Sequence, residues 1–205
     1  MTLALWILGA YLLGSIPTSY LAGRYGAGLD LREHGSKNVG ATNLYRVLGW
    51  RYAIPVGLFD VAKGAMPVLL VMPRVEQDWM PLLVGVAAVT GHVFPVFLRF
   101  RGGKGVATAA GVVLALAPAS LAASAVVWLA VLALTGFVSL ASILGAATFP
   151  VAVRLLDPHN VYTFAVGIGL ATFIVYTHRS NIRRLLAGTE NRFGRRRRAA
   201  HRDAS

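Results

Sequence analysis

The chain has 205 residues, 56% of them hydrophobic and only 14% charged, with a formal net charge of +12 and a mean hydropathy of +0.62. Soluble chains average about a quarter charged residues, so this composition excludes an ordinary soluble domain and places most of the chain in hydrocarbon. Cysteine is absent, which excludes disulfide scaffolds, thiolate metal sites and a cysteinyl acyl-enzyme intermediate and leaves the redox compartment open.

With about 20 residues needed per helical crossing, apolar runs predict spans over residues 3–21, 52–72, 80–97, 105–117, 121–134, 140–155 and 161–176. The expected fold is an all-α integral membrane protein of about seven transmembrane helices. The first run lacks a basic segment before it, and Arg24 follows it instead, so it reads as a retained span and not a signal peptide. The fourth and fifth runs are short and are divided around Pro118. A tight hairpin or re-entrant pair, with five or six full crossings, is the alternative.

Charge fixes an expected orientation. The segment from Arg24 to Arg51 holds five cations against Asp30 and Glu33, that from Arg99 to Lys104 holds three cations and no acid, and the part after Tyr176 holds nine arginines. Such segments belong on the cytoplasmic side. The turns around Arg74, Glu76 and Asp78, and around Asp157, lack that excess. The N-terminus is therefore expected outside and the C-terminus inside, with the polar connections sharing the cytoplasmic face. Residues 1–187 read as one transmembrane domain and residues 188–205 as a basic tail.

The first connection, Glu33-His-Gly-Ser36-Lys-Asn38-Val-Gly-Ala-Thr42-Asn43, is dense in hydroxyl and amide groups. Ser36, Asn38, Thr42 and Asn43 suit phosphate or polyol oxygens, and Arg46 adds a planar fork suited to bidentate phosphate recognition. An interfacial turn that solvates its own backbone is the competing reading. In the second span Asp60 and Lys63 lie three apart, and intramembrane charges of this kind either support a site from behind or simply pair with each other. The peptide Arg101-Gly102-Gly103-Lys104-Gly-Val-Ala-Thr108 joins glycine backbone, a fixed cation and a helix start, the elements of an anion site beside lipid. It is not a nucleotide P-loop, because Gly105 rather than Ser or Thr follows Lys104.

Ser139 and Ser142 open the sixth run on one face, where they serve substrate or only their own helix backbone. After the last span, His178 and Asn181 share a face if the helix continues. His178 is a candidate base or an interfacial hydrogen-bonding residue. His92, before Phe94 and Pro95, reads as structural. The run Arg195–Arg198 attracts anionic lipid, and nucleic-acid binding is a poor second reading. No acid and histidine set has metal-ligand spacing, so no metal and no cofactor are expected.

The blocks GSIPTSYLAGR, HGSKNVGATNLYR, GHVFPVFLRFRGGKGVAT and TGFVSLASI followed by HRSNIRRLLAGTENR resemble, in order and spacing and over nearly the whole chain, the bacterial acyl-phosphate:glycerol-3-phosphate acyltransferases. The resemblance implies a multi-pass enzyme of the bacterial cytoplasmic (inner) membrane that transfers a fatty acyl group from acyl phosphate to the 1-hydroxyl of glycerol 3-phosphate. The products are 1-acylglycerol 3-phosphate (lysophosphatidic acid) and phosphate, the first acylation step of phospholipid biosynthesis. It also implies membrane lipid and an enzyme that makes acyl phosphate as partners. Matched to the motifs, Ser36, Lys104, His178 and Asn181 are implied as catalytic, and Asn38, Thr42, Asn43, Arg46, Gly102, Gly103, Ser139 and Ser142 as substrate-binding. The His followed four residues later by Asp of acyl-CoA-dependent glycerolipid acyltransferases is absent.

An acyl phosphate is a mixed anhydride with a good leaving group, so cations and amides that bind and orient two phosphate-bearing substrates suffice for direct transfer. For the hydroxyl proton two acceptors stand open: His178, or the phosphate monoester itself, whose second pKa lies near 6. An acyl-serine on Ser36 is a third route, without an identifiable base to activate it. A phosphate-capturing transporter or scramblase is the competing function, though no internal repeat supports it. A phosphatidyltransferase would want acidic metal ligands.

Overall fold

The computed structural model describes residues 2–193, and within them all regular structure is helical. Ten α-helices follow in order: α1 (Leu3–Gly14), α2 (Thr18–Ala27), α3 (Ala41–Leu48), α4 (Trp50–Val71), α5 (Met80–Val93), α6 (Val106–Leu116), α7 (Pro118–Thr135), α8 (Val138–Leu156), α9 (Val161–Thr177) and α10 (Arg179–Leu186). Each of the seven expected runs falls in helix. Five segments are long and apolar enough to cross a membrane, or up to six if α9 and α10, bent by 59°, count as one. The exception is α6, whose 11 residues span only about 17 Å at 1.5 Å per residue, well short of a 30 Å core.

The first span is broken. Ser15, Ile16 and Pro17 separate α1 from α2, because Pro17 has no N–H to continue the helix ladder. The carbonyl of Ile16 that this break frees accepts a hydrogen bond from Lys63 Nζ at 2.9 Å. The same carbonyl accepts from Thr18 N at 3.0 Å, so protein donors supply the bonds that lipid cannot.

Small residues let the backbones meet. A Cβ on Gly64 of α4 would fall on the carbonyl of Thr108 in α6, and one on Gly111 of α6 on the carbonyl of Val61 in α4. Without a hydrophobic drive between helices in lipid, such close approach is what holds them together. Around this crossing Val68, Val89, Val112, Phe149, Val153 and Leu170 form the main core. Leucines on the perimeter face outward, Leu129 and Leu134 of α7 among them, as a lipid-covered bundle requires.

The two eight-residue helices, α3 and α10, are amphipathic and too short to cross. They bury Asn43 and Leu44 of α3 and Asn181 of α10. The turn after α7 reaches the same region, since Phe193 N donates to Gly136 O at 2.7 Å and Phe193 stacks on Tyr45 of α3 at 4.7 Å. The polar connections thus converge at one end of the bundle.

Candidate active site

Lys104 sits on the segment between α5 and α6. Arg99 and Phe100 take left-handed backbone (φ 52° and 62°), a strained arrangement costing about 1–3 kcal/mol per residue. It turns the chain back under α5. Gly102 N then donates to Val93 O at 3.0 Å and Gly103 N to His92 O at 3.1 Å. These carbonyls end α5 and have no intrahelical partner. The two glycine amides therefore cap a helix and do not point at an anion, which corrects the expectation of a glycine-amide phosphate cradle. The glycines serve instead by closeness, since a Cβ at either would collide with the end of α5.

Lys104 itself is half-buried and donates to Asn181 Oδ1, while its carbonyl accepts from Thr177 Oγ1 at 3.1 Å. Asn181 Nδ2 donates to Glu190 Oε1 at 2.7 Å. The same oxygen accepts from Ser139 Oγ at 2.9 Å, and Arg184 Nε donates to Glu190 Oε2 at 2.7 Å. Glu190 is the hub of this array and was not among the candidates from sequence. Burial pushes its carboxyl up, but the hydrogen bonds from Asn181, Arg184 and Ser139 outweigh that and hold it below the ordinary value. This packed array runs past the boundary expected after Ala187, since without Glu190 the donors on Ser139, Asn181 and Arg184 would lose their shared acceptor. The run Arg195–Arg198 lies outside the described residues.

Burial brings the Lys104 ammonium down to about 8, with Glu190 opposing the shift and Arg184 and Arg46 adding to it. Arg46, on α3, is pulled in the same downward direction by burial and is drawn back by Glu190. Its Nε is buried without a hydrogen-bond partner among the described residues, and Arg46 does not line the cleft over Lys104.

A cleft of about 380 Å³ opens over Lys104. Ser36, Asn38, Gly102, Gly103 and Lys104 line it, together with Lys37, Arg101, Arg179, Arg183 and Arg184, and no acid does. A wall of that composition focuses positive potential. A second cavity of about 440 Å³ lies between α6, α7, α8 and α9, lined almost wholly by apolar groups such as Val106, Ala146, Phe149 and Leu170. Val106 is two residues from Lys104, so the basic cleft and the apolar cavity flank one short stretch of chain.

The remaining candidates divide. Asn43 is fully engaged in shaping its own loop: Oδ1 accepts from Ser36 N at 2.7 Å and Nδ2 donates to His34 O and Leu31 O at 3.0 and 3.3 Å. It positions Ser36, with both amide hydrogens committed to its own loop. Thr42 does not line the cleft. Ser142 Oγ donates to Val138 O at 2.8 Å and accepts from Trp128 Nε1 at 3.3 Å, so it serves its own helix at the wall of the apolar cavity. His178 Nδ1 lies 2.8 Å from Ile174 O; a carbonyl only accepts, so Nδ1 carries the proton and Nε2 is the free acceptor. Among the described residues no carboxylate orients it. Asp60 and Lys63 pair at 2.8 Å behind the glycine segment, outside the cleft. Among the described residues no group of acids and histidines is arranged to hold a metal ion.

Three comparisons bear on this arrangement. Residues 4–188 match the family model described as glycerol-3-phosphate acyltransferase. The glycerol-3-phosphate acyltransferase of Desulforudis audaxviator is 50% identical over 189 residues, covering 90% of this chain and 92% of its own, and that of Trichlorobacter lovleyi is 46% identical over 188 residues, covering 92% and 96%. Two crystal structures of PlsY (YgiH), described as an integral membrane glycerol 3-phosphate acyltransferase, superpose closely. Its glycerol 3-phosphate form gives a TM-score of 0.89 at 40% identity over 94% of this chain and 96% of that one. Its lysophosphatidic acid form gives 0.86 at 38% identity over 94% and 95%.

Proposed function

The chain belongs to the glycerol-3-phosphate acyltransferase family, and we propose that it takes its acyl group from acyl phosphate and releases 1-acylglycerol 3-phosphate and inorganic phosphate. The observation that carries this reading is the acid-free basic cleft beside an apolar cavity, with Lys104 between them. An acyl phosphate has this shape and charge: a long chain ending in a phosphoric mixed anhydride. Glycerol 3-phosphate, named in one form of the PlsY structure to which this chain is similar, brings a second phosphate, and the cations keep the two from repelling.

In the proposed step the 1-hydroxyl oxygen attacks the acyl carbon, the bond from that carbon to the phosphate oxygen breaks, and phosphate leaves with the electron pair. Lys104 stabilises charge developing on the leaving phosphate, and Asn181 and Glu190 fix its ammonium. The cleft arginines hold the acceptor's phosphate. The hydroxyl proton goes to the phosphate monoester of glycerol 3-phosphate, whose second pKa lies near 6. Ser36 and Asn38 contact the glycerol backbone. The membrane is the bacterial inner membrane, with the cleft on its cytoplasmic side, as the basic connections favour.

The test is donor identity. Purified protein in detergent, given glycerol 3-phosphate, forms lysophosphatidic acid from palmitoyl phosphate and not from palmitoyl-CoA; product from the thioester alone would reassign the donor.

A further inference from the structure

Behind the glycine segment lies a buried ionic array that the cleft does not use. Asp60 and Lys63 of α4 are 1% and 2% exposed and His92 of α5 is 8% exposed. Asp60 Oδ1 accepts from Thr18 Oγ1 at 2.7 Å, pairs with Lys63 Nζ at 2.8 Å and faces His92 Nδ1 at 3.7 Å. Charges in a span are costly, and a mutual pair of Asp60 with Lys63 would need no histidine beside it.

The other side of the His92 ring explains its presence. A Cβ placed on Gly103 would fall on the imidazole Nε2, so the backbone of Gly103 rests against the ring. Gly102 and Gly103 line the basic cleft on one side and, on the other, a small cavity of about 10 Å³ that Lys63 and His92 also line. The segment is thus a partition one backbone thick, and Lys104 is the next residue. Downstream it is held by α6, which Gly64 and Gly111 lock to α4, the helix that carries Asp60 and Lys63.

We propose that His92 is a positioning residue for acyl transfer: Asp60, held by Thr18 and Lys63, orients its ring, the ring supports Gly103, and that support sets where Lys104 stands in the cleft. This rests on the reading of Lys104 as the group that binds phosphate. Displacement of a catalytic group by about 1 Å is enough to cost on the order of 100-fold.

The experiment uses the full chain in detergent, with glycerol 3-phosphate and palmitoyl phosphate each varied, and with thermal midpoints recorded beside the kinetics. His92→Ala lowers kcat by about 10- to 100-fold per folded enzyme, His92→Gln restores much of it, and Thr18→Val gives a smaller loss in the same direction. Gly103→Ala alone is severely impaired, because its methyl group meets the ring, and Gly103→Ala combined with His92→Ala is more active than Gly103→Ala alone. A His92→Ala enzyme with unchanged kcat and KM overturns the proposal, as does a double variant no better than Gly103→Ala. Should His92→Ala fail to fold, His92→Gln and Thr18→Val carry the test: an unchanged kcat in both overturns it. An active Lys104→Ala enzyme would instead overturn the reading of the site on which the proposal rests, so the two failures are distinct.

Discussion

Lys104 and Asn181 lie 77 residues apart and are joined side chain to side chain, the ammonium donating to the amide oxygen. Because Asn181 donates in turn to Glu190, the orientation of its amide is fixed: oxygen toward the cation, nitrogen toward the carboxylate. The charge that faces the cleft is thereby held by a buried acid it does not touch.

Removing the cation is the most direct perturbation. Lys104→Ala is expected to lower kcat/KM by about two to three orders of magnitude, the range typical of losing one preorganised donor to a developing anion. Circular dichroism in detergent is expected to be unchanged, since the neighbouring backbone bonds do not involve this side chain.

Glu190 should behave differently, as a residue whose loss reaches several partners. Glu190→Ala leaves Ser139, Asn181 and Arg184 without their acceptor. Discounted because Arg184 is 34% exposed, the cost is about 2 kcal/mol, a fall in Tm of roughly 4–8 °C, with turnover reduced in the folded fraction as well. A thermal melt with parallel kinetics checks both. The folded-state pKa of Glu190 is depressed. Its stabilisation is therefore present above the ordinary carboxylate value and is lost as pH falls through the folded value, so the gap in Tm between wild type and Glu190→Gln closes in acid.

The rate should also report Lys104. Its ammonium is brought down to about 8 in the free enzyme; it is charged below that pH and neutral above it. The pH profile of kcat/KM is expected to fall on its alkaline side with an apparent pKa near that value, and Lys104→Arg, which stays charged, should lose that limb. A limb unchanged in Lys104→Arg would assign it to another group.

The apolar cavity gives a specificity prediction. Ala146 lines it, and Ala146→Phe fills part of the volume. The variant is expected to prefer a shorter acyl phosphate than wild type does, with KM for glycerol 3-phosphate little changed. Competition between palmitoyl and decanoyl phosphate, with products separated by mass, measures the shift.

Much of this was legible in the sequence. The seven apolar runs all became helices, because long unbroken hydrophobicity has few other solutions in lipid, and the polar blocks converge as their shared charge implied. The break at Pro17 was hidden inside a continuous apolar run, and its repair by Lys63 is a contact across 47 residues that no local pattern encodes. Asn43 looked like a ligand because an amide serves a substrate or its own loop with the same atoms, and only the partners distinguish the two. The glycines of the Gly102-Gly103 pair suggested free amides, yet the end of α5 needed those donors first. Glu190 was passed over as one acid in a basic tail. The available signal was that it is the sole acid between Asp157 and Asp203, amid cations that require a counter-charge when buried.

The measurement that bears most directly on the central claim is the joint yield of phosphate and lysophosphatidic acid from palmitoyl phosphate and glycerol 3-phosphate, for wild type and Lys104→Ala side by side. The account predicts one phosphate per lysophosphatidic acid in the wild type and loss of both together in the variant. Lysophosphatidic acid formed at the wild-type rate by Lys104→Ala, or formed without matching phosphate, would contradict it.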